Sequence, residues 1–188
     1  MRQVRIAPGL KRLGNFAFYG LTTLTKIYLS EGLETIGKWC IYDSNVRRIE
    51  IPKSVRVIED EAFLSCLQLK EILIPADSAL EKIGAEAFQK SRIERFTTPA
   101  SLRILSAGVF SWCENLKEVT LNEGLEVLGD DEYHSFGHYG AFEENTVEDV
   151  RFPSTLRRIR YGTFKACKGL RRIALPAGLE RIEESCFC

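Results

Sequence analysis

The chain has 188 residues, 45% of them apolar, and sets 26 lysines and arginines against 26 aspartates and glutamates, a formal net charge of zero. That balance leaves no global field to hold nucleic acid or an anionic membrane, and no uninterrupted apolar run of about 18 residues is present to insert into a bilayer. The opening residues MRQVRIAPGL lack the long apolar segment of a secretory signal, which points to an intracellular protein or a segment of a longer one.

In chain order, one short phrase keeps returning. VRRIEIP at 46–52 is followed by LKEILIP at 69–75, VEDVRFP at 147–153 and LRRIALP at 170–176. Units begin near Met1, Leu24, Val46, Leu69, Ile93, Leu116, Val147 and Leu170, with steps of 23, 22, 23, 24, 23, 31 and 23 residues. A fixed period of this size means that each unit buries its apolar face against its neighbours. The apolar-x-apolar pairs Ile27/Leu29, Ile49/Ile51, Ile72/Ile74, Val119/Leu121, Val150/Phe152 and Ile173/Leu175 predict a short strand with one buried face. Pro52, Pro75, Pro99, Pro153 and Pro176 lack the ladder donor and end it. A second apolar pair follows, as in Leu33/Ile36, Val55/Ile58 and Leu179/Ile182, and then a small residue with a phenylalanine, as in Ala62-Phe63 and Ala87-Phe88. That last stretch reads as a helical or 3₁₀ turn that packs its ring inward.

The whole unit, L-x-x-I-x-I-P-x-x-V-x-x-I-G-x-x-A-F-x-x-C, resembles the leucine-rich repeat of the BspA-like family. The likeness covers essentially the whole chain and departs from the pattern at Trp39-Cys40-Ile41, at Phe96 and Thr98, and in unit six. It implies an α/β-class leucine-rich-repeat solenoid, mainly short parallel strands with short helical or 3₁₀ turns. The coil would be curved and right-handed, with about eight repeats in a single domain over 1–188. It also implies a surface or secreted microbial protein that binds host proteins or other cells, with repeats not known for catalysis.

Register turns scattered residues into rows. Lys11, Glu34, Arg56, Glu81, Arg103, Glu126, Arg157 and Glu180 share one repeat position and alternate in sign, which predicts a self-neutralising exposed ladder. Cys66, Cys113 and Cys167 sit at one position in alternate units, about 10 Å apart for strands stacked at ~4.8 Å, which is too far for disulfides. Cys40 and Cys186 fill the small-residue position as core thiols. On the outward strand positions, Tyr28, Arg48, Leu73 and Arg95 are the candidate anchors for a protein partner, since aromatic and arginine side chains dominate interfaces. An ordinary solvated sheet surface is the alternative reading.

Unit six departs from the period with an insertion at about 130–140, DDEYHSFGHYG. It gathers both histidines, His134 and His138, with Tyr133, Phe136 and Tyr139, and so offers a second candidate contact surface for a partner. A metal or glycan site in this loop is a competing reading, although no spacing fixes a fourth metal ligand. No nucleophile elbow, phosphate loop or Cys-His pair is present. The expectation is therefore a non-catalytic recognition module with no cofactor and an unidentified protein partner, or else a structural spacer in a longer array. Units one and eight lack polar caps, so further repeats or end-to-end self-association is expected there.

Overall fold

The structure, a computed structural model, describes residues 2–129 and 139–188. Each unit contributes two parallel strands where the sequence predicts one. In chain order they are β1 (Gln3–Arg5), β2 (Arg12–Leu13), β3 (Lys26–Tyr28), β4 (Thr35–Ile36), β5 (Arg48–Glu50), β6 (Val57–Ile58), β7 (Glu71–Leu73) and β8 (Lys82–Ile83). The series continues with β9 (Arg95–Thr97), β10 (Ile104–Leu105), β11 (Glu118–Thr120), β12 (Val127–Leu128), β13 (Asp149–Arg151), β14 (Arg158–Ile159), β15 (Arg172–Ala174) and β16 (Arg181–Ile182). Odd-numbered strands form a front wall and even-numbered strands a back wall.

The back wall is one continuous sheet in the order β16-β14-β12-β10-β8-β6-β4-β2. Its eight strands bound about seven complete turns of the coil. The second residue of each strand points inward, and from Leu13 to Ile159 these side chains are buried. Just past each strand, an amide donates to the coil before it. Gly37, Glu59, Gly84, Ser106, Gly129, Arg160 and Glu183 reach the carbonyls of Leu13, Ile36, Ile58, Ile83, Leu105, Leu128 and Ile159 at 2.7–3.4 Å. Every junction of this wall is thus closed by a backbone hydrogen bond, each with a net value of about 1 kcal/mol.

The turn that follows corrects the expected helix: no helix occurs among the described residues. In unit three the amides of Glu61, Phe63 and Ser65 donate to Ala85, Ala87 and Gln89 of the next coil at 2.8–3.0 Å, whereas Leu64 and Cys66 donate back three residues to Glu61 and Phe63. A helix would direct all these amides along its own axis. Here three of the five build a third wall of the coil, and the alternation is possible because two residues four apart adopt left-handed conformations, Glu61 (φ 57°) and Ser65 (φ 60°). The same pair recurs as Trp39/Asp43, Glu86/Lys90, Gly108/Trp112 and Gly162/Ala166. A non-glycine residue costs about 1–2 kcal/mol in this region, which the lateral hydrogen bonds and the ring packed between them offset.

That ring belongs to a spine. Phe63, Phe88, Phe110, Phe142, Phe164 and Phe187 stack coil upon coil with centroids 5.1–5.7 Å apart. The core thiols lie beside it without disulfides, as the spacing required. Cys66 meets Ser44 at 3.3 Å and Cys113 meets Ser91 at 3.1 Å. Burial pushes the Cys66 thiol up to about 11 and that of Cys113 up to about 12, so both stay protonated and inert.

The front wall is divided. Its ladders join β1-β3, then β5-β7, then β9-β11-β13-β15, with breaks between β3 and β5 and between β7 and β9. The amides of Ile6, Ile51, Thr98 and Leu121 donate to the next coil at Tyr28, Leu73, Thr120 and Arg151, at 2.9–3.3 Å. No equivalent bond joins Leu29 or Ile74 to the coil beyond the break.

Chain length varies at the junctions where the breaks fall. From back strand to spine ring the separation is five positions in the regular units, as from Ile58 to Phe63 or Ile83 to Phe88. From the turn to the next front strand it alternates. It is nine from Phe18 to Ile27, Phe63 to Ile72 and Phe110 to Val119, but eight from Ile41 to Ile49, Phe88 to Phe96 and Phe142 to Val150. Both breaks occur where a nine-position approach is followed by an eight-position one. The third junction of that kind, β11 to β13, keeps its ladder. At the breaks Ile49 and Phe96 remain buried. Burying a large apolar side chain is worth about 2–3 kcal/mol and a ladder bond about 1, so the strand keeps its face and gives up its hydrogen bonds.

The front ladders thus run over two, two and four coils, whereas the charge row is grouped in twos throughout. Lys11–Glu34 (2.7 Å), Arg56–Glu81 (2.6 Å), Arg103–Glu126 (3.1 Å) and Arg157–Glu180 (3.9 Å) each join an odd unit to the even unit after it. The continuous ladder expected from sequence is resolved into separate ion pairs. Exposed pairs of this type contribute about 0.2–1 kcal/mol each.

Candidate protein-binding face

From β3 to β13 each front strand buries its middle residue and presents the flanking two outward, because successive side chains in a strand alternate. The ladders match Gln3 with Lys26, Arg5 with Tyr28, Arg48 with Glu71 and Glu50 with Leu73, which are the outward rows read from the sequence. Tyr28, Arg48, Leu73 and Arg95 accordingly share the front face, on four successive odd-numbered strands.

The breaks turn this face into grooves. Beside β3 and β5, a recess of about 560 Å³ is lined by Lys26, Tyr28, Leu29, Arg48 and Glu50. A wider groove of about 660 Å³ continues across the second break, with Arg48, Leu73, Arg95 and Thr97 among its walls. Arg48 lines both. The sequence misses Leu29 and Glu31 as lining residues, since Leu29 reads there as the buried second half of a strand pair. It is half-buried because its strand ends at an open ladder.

The electrostatics of the groove is mixed and largely self-matched. Arg48 meets Glu50 at 3.0 Å and Glu71 at 3.3 Å, and Arg95 meets Glu118 at 3.4 Å with 77% of its side chain exposed. Two cations of the chain approach the Tyr28 ring, the Arg5 guanidinium at 4.0 Å and the Lys26 ammonium at 4.7 Å from its centroid.

Of the second sequence-derived surface only Tyr139 is among the described residues. Tyr133, His134, Phe136 and His138 lie outside the described residues. Tyr139 is half-buried and packs on unit five, its Cβ 3.3 Å from where a Cβ on Gly108 would stand. Beside it Gly140 runs against the Gly162 backbone so closely that any side chain would overlap the carbonyl. Among the described residues no group of three or more His, Cys, Asp and Glu is placed to hold a metal ion, and no helix is long and apolar enough to cross a membrane.

Parallel strands repeated coil upon coil around a shared phenylalanine spine define a leucine-rich-repeat β-solenoid. The family model of the BspA type leucine rich repeat region matches in six copies, over residues 1–117, 48–137 and 135–188, and the chain belongs to that family. Among solved structures it is similar to a leucine-rich repeat protein from Bacteroides ovatus, at 23% identity and a TM-score of 0.70, over 99% of this chain and 54% of that one. It is also similar to a leucine-rich repeat protein of T. pallidum, at 22% identity and a TM-score of 0.67, over 90% of this chain and 78% of that one. These likenesses show the fold, and the chain spans about half the length of the B. ovatus structure. No curated protein matches the chain.

Proposed function

We propose that this chain is a non-catalytic protein-recognition module whose partner docks in the front groove opened by the two ladder breaks. The observation that carries the reading is the coincidence of the breaks with Tyr28, Arg48, Leu73 and Arg95, so that half-buried apolar surface and exposed guanidinium groups line one recess. Membership of a repeat family supports the same conclusion, because stacked coils offer an extended, rigid surface and build function from what varies on it. The matched charges along the groove favour specificity over a strong long-range pull.

The reading is tested by replacing Tyr28 and Arg95 together with alanine and measuring capture of protein partners from cell extracts and culture supernatants. Capture by the double variant should fall at least about tenfold, the usual scale for losing a hot-spot residue. Unchanged capture with an intact circular dichroism spectrum would remove this face as the binding surface.

A further inference from the structure

The turn wall of units one and two carries a feature that does not recur among the other described residues. Phe16, Tyr19, Trp39 and Tyr42 form one ring array: Tyr19 stacks on Tyr42 at 4.7 Å, Trp39 lies 5.0 Å from Tyr42, and Phe16 stacks on Trp39 at 6.4 Å. Phe16 is 56% and Tyr19 47% exposed. Two of these rings occupy the first left-handed position of the turn, Phe16 at φ 60° and Trp39 at φ 56°. Glycine fills the same place in units five and seven, at Gly108 and Gly162.

The same repeat position continues into carboxylates, Glu61 in unit three and Glu86 in unit four. Glu61 stands one coil beyond Trp39 and its charge is felt at the Tyr42 hydroxyl. Its Oε2 is buried without a hydrogen-bond partner. Asp43 occupies the second left-handed position beside Tyr42. The nearby cations are engaged elsewhere: Lys38 holds Asp60 at 2.6 Å and Arg12 holds Glu59 at 2.9 Å. The array therefore combines ring faces with a carboxylate, Glu61, whose Oε2 has no hydrogen-bond partner.

We propose that this edge is a second docking surface, for a protein segment presenting an arginine or lysine side chain, whose cation lies on the Tyr19, Trp39 and Tyr42 rings and is met by Glu61. Charge complementarity selects this occupant. The negative faces of aromatic rings attract cations within about 6 Å, and Glu61 is the group with acceptor capacity left over. The chain itself shows this geometry on the front wall, where Arg5 covers Tyr28. None of the grooves beside β3, β5, β7 and β9 reaches these rings, so the surface is separate from the front face.

The test uses the full chain with Trp112→Phe, which leaves Trp39 as the one tryptophan reporter. A short glycine-serine peptide containing three arginines is titrated while Trp39 emission is followed, in parallel with a twin that carries citrulline at the same places. Saturable binding of the arginine peptide is expected, with the citrulline twin at least about tenfold weaker. Tyr19→Leu and Glu61→Gln, checked for fold by circular dichroism, should each weaken it several-fold, whereas Tyr28→Ala leaves it unchanged. Equal binding of the citrulline twin would overturn the proposal. So would the absence of saturation, native affinity in both Tyr19→Leu and Glu61→Gln, or competition by a neutral oligosaccharide such as maltohexaose.

Discussion

The back and front walls are built from the same repeats, yet one is an unbroken sheet of eight strands and the other falls into three pieces. What separates them is where the chain varies in length. The five positions from back strand to spine ring are constant in the regular units, so strand and ring are laid down together. The approach to the front strand is nine positions or eight, and unit four also lengthens the path from front to back, with eleven positions from Ile72 to Ile83. The coil holds its core in register through the rigid part and absorbs variation at the front. A surface that gives up ladder bonds while keeping its inward residues buried is free to form grooves, and the candidate binding residues line them.

The largest expected effect comes from moving variation to the wrong wall. A glycine inserted between Ile58 and Glu59 breaks the constant spacing, and urea unfolding should show a loss of at least about 3 kcal/mol or of cooperativity. The same insertion between Ala76 and Asp77, in an exposed loop, should cost less than about 1 kcal/mol. Equal losses would erase the distinction between the walls. Next, Phe110→Ala, which empties the middle of the spine, is expected to cost about 3–5 kcal/mol. Leu73→Ala, at a half-buried front position, should cost under about 1 kcal/mol by the same measurement.

A third expectation concerns pH. Burial, with Glu86 and Asp60 close by and Lys38 only partly opposing them, raises the Glu61 carboxyl from 4.5 to about 7. The folded chain then holds more protons at Glu61 than the unfolded chain between pH 4.5 and 7, so stability falls as pH rises through that window. Glu61→Gln should flatten this slope in thermal unfolding followed across the window, and an unchanged slope would assign it to another group. The smallest effect is expected at Lys90, an exposed residue at φ 61° on the turn wall. Lys90→Gly relieves the left-handed strain and should add up to about 1 kcal/mol.

Much of this architecture is legible in the residues. The apolar-x-apolar pairs place the front strands and their outward rows correctly, because period-2 alternation needs only three residues to show itself. The back strands are two residues long, too short to display a period, so Ile36 and Ile58 read only as the second members of the pairs Leu33/Ile36 and Val55/Ile58. The A-F-x-x-C turn imitates helical spacing, and the left-handed residues that forbid a helix include Trp39, Glu61, Lys90 and Trp112, whose side chains give no hint of that conformation. The alternating approach to the front strands is written in the sequence, but alignment on the proline phrase hides it, because that alignment compares only whole unit steps, which stay near 23 outside unit six.

Amide hydrogen exchange at single-residue resolution tests the divided front wall most directly. The amides of Leu29 and Ile74, at the two breaks, should exchange far faster than those of Ile6, Ile51 and Thr98, their equivalents at intact junctions. On the back wall, Glu59 and Ser106, which close the junctions opposite the two breaks, should be as protected as Gly37 and Gly129. Uniform protection of Leu29 and Ile74 with their front-wall equivalents would contradict the account.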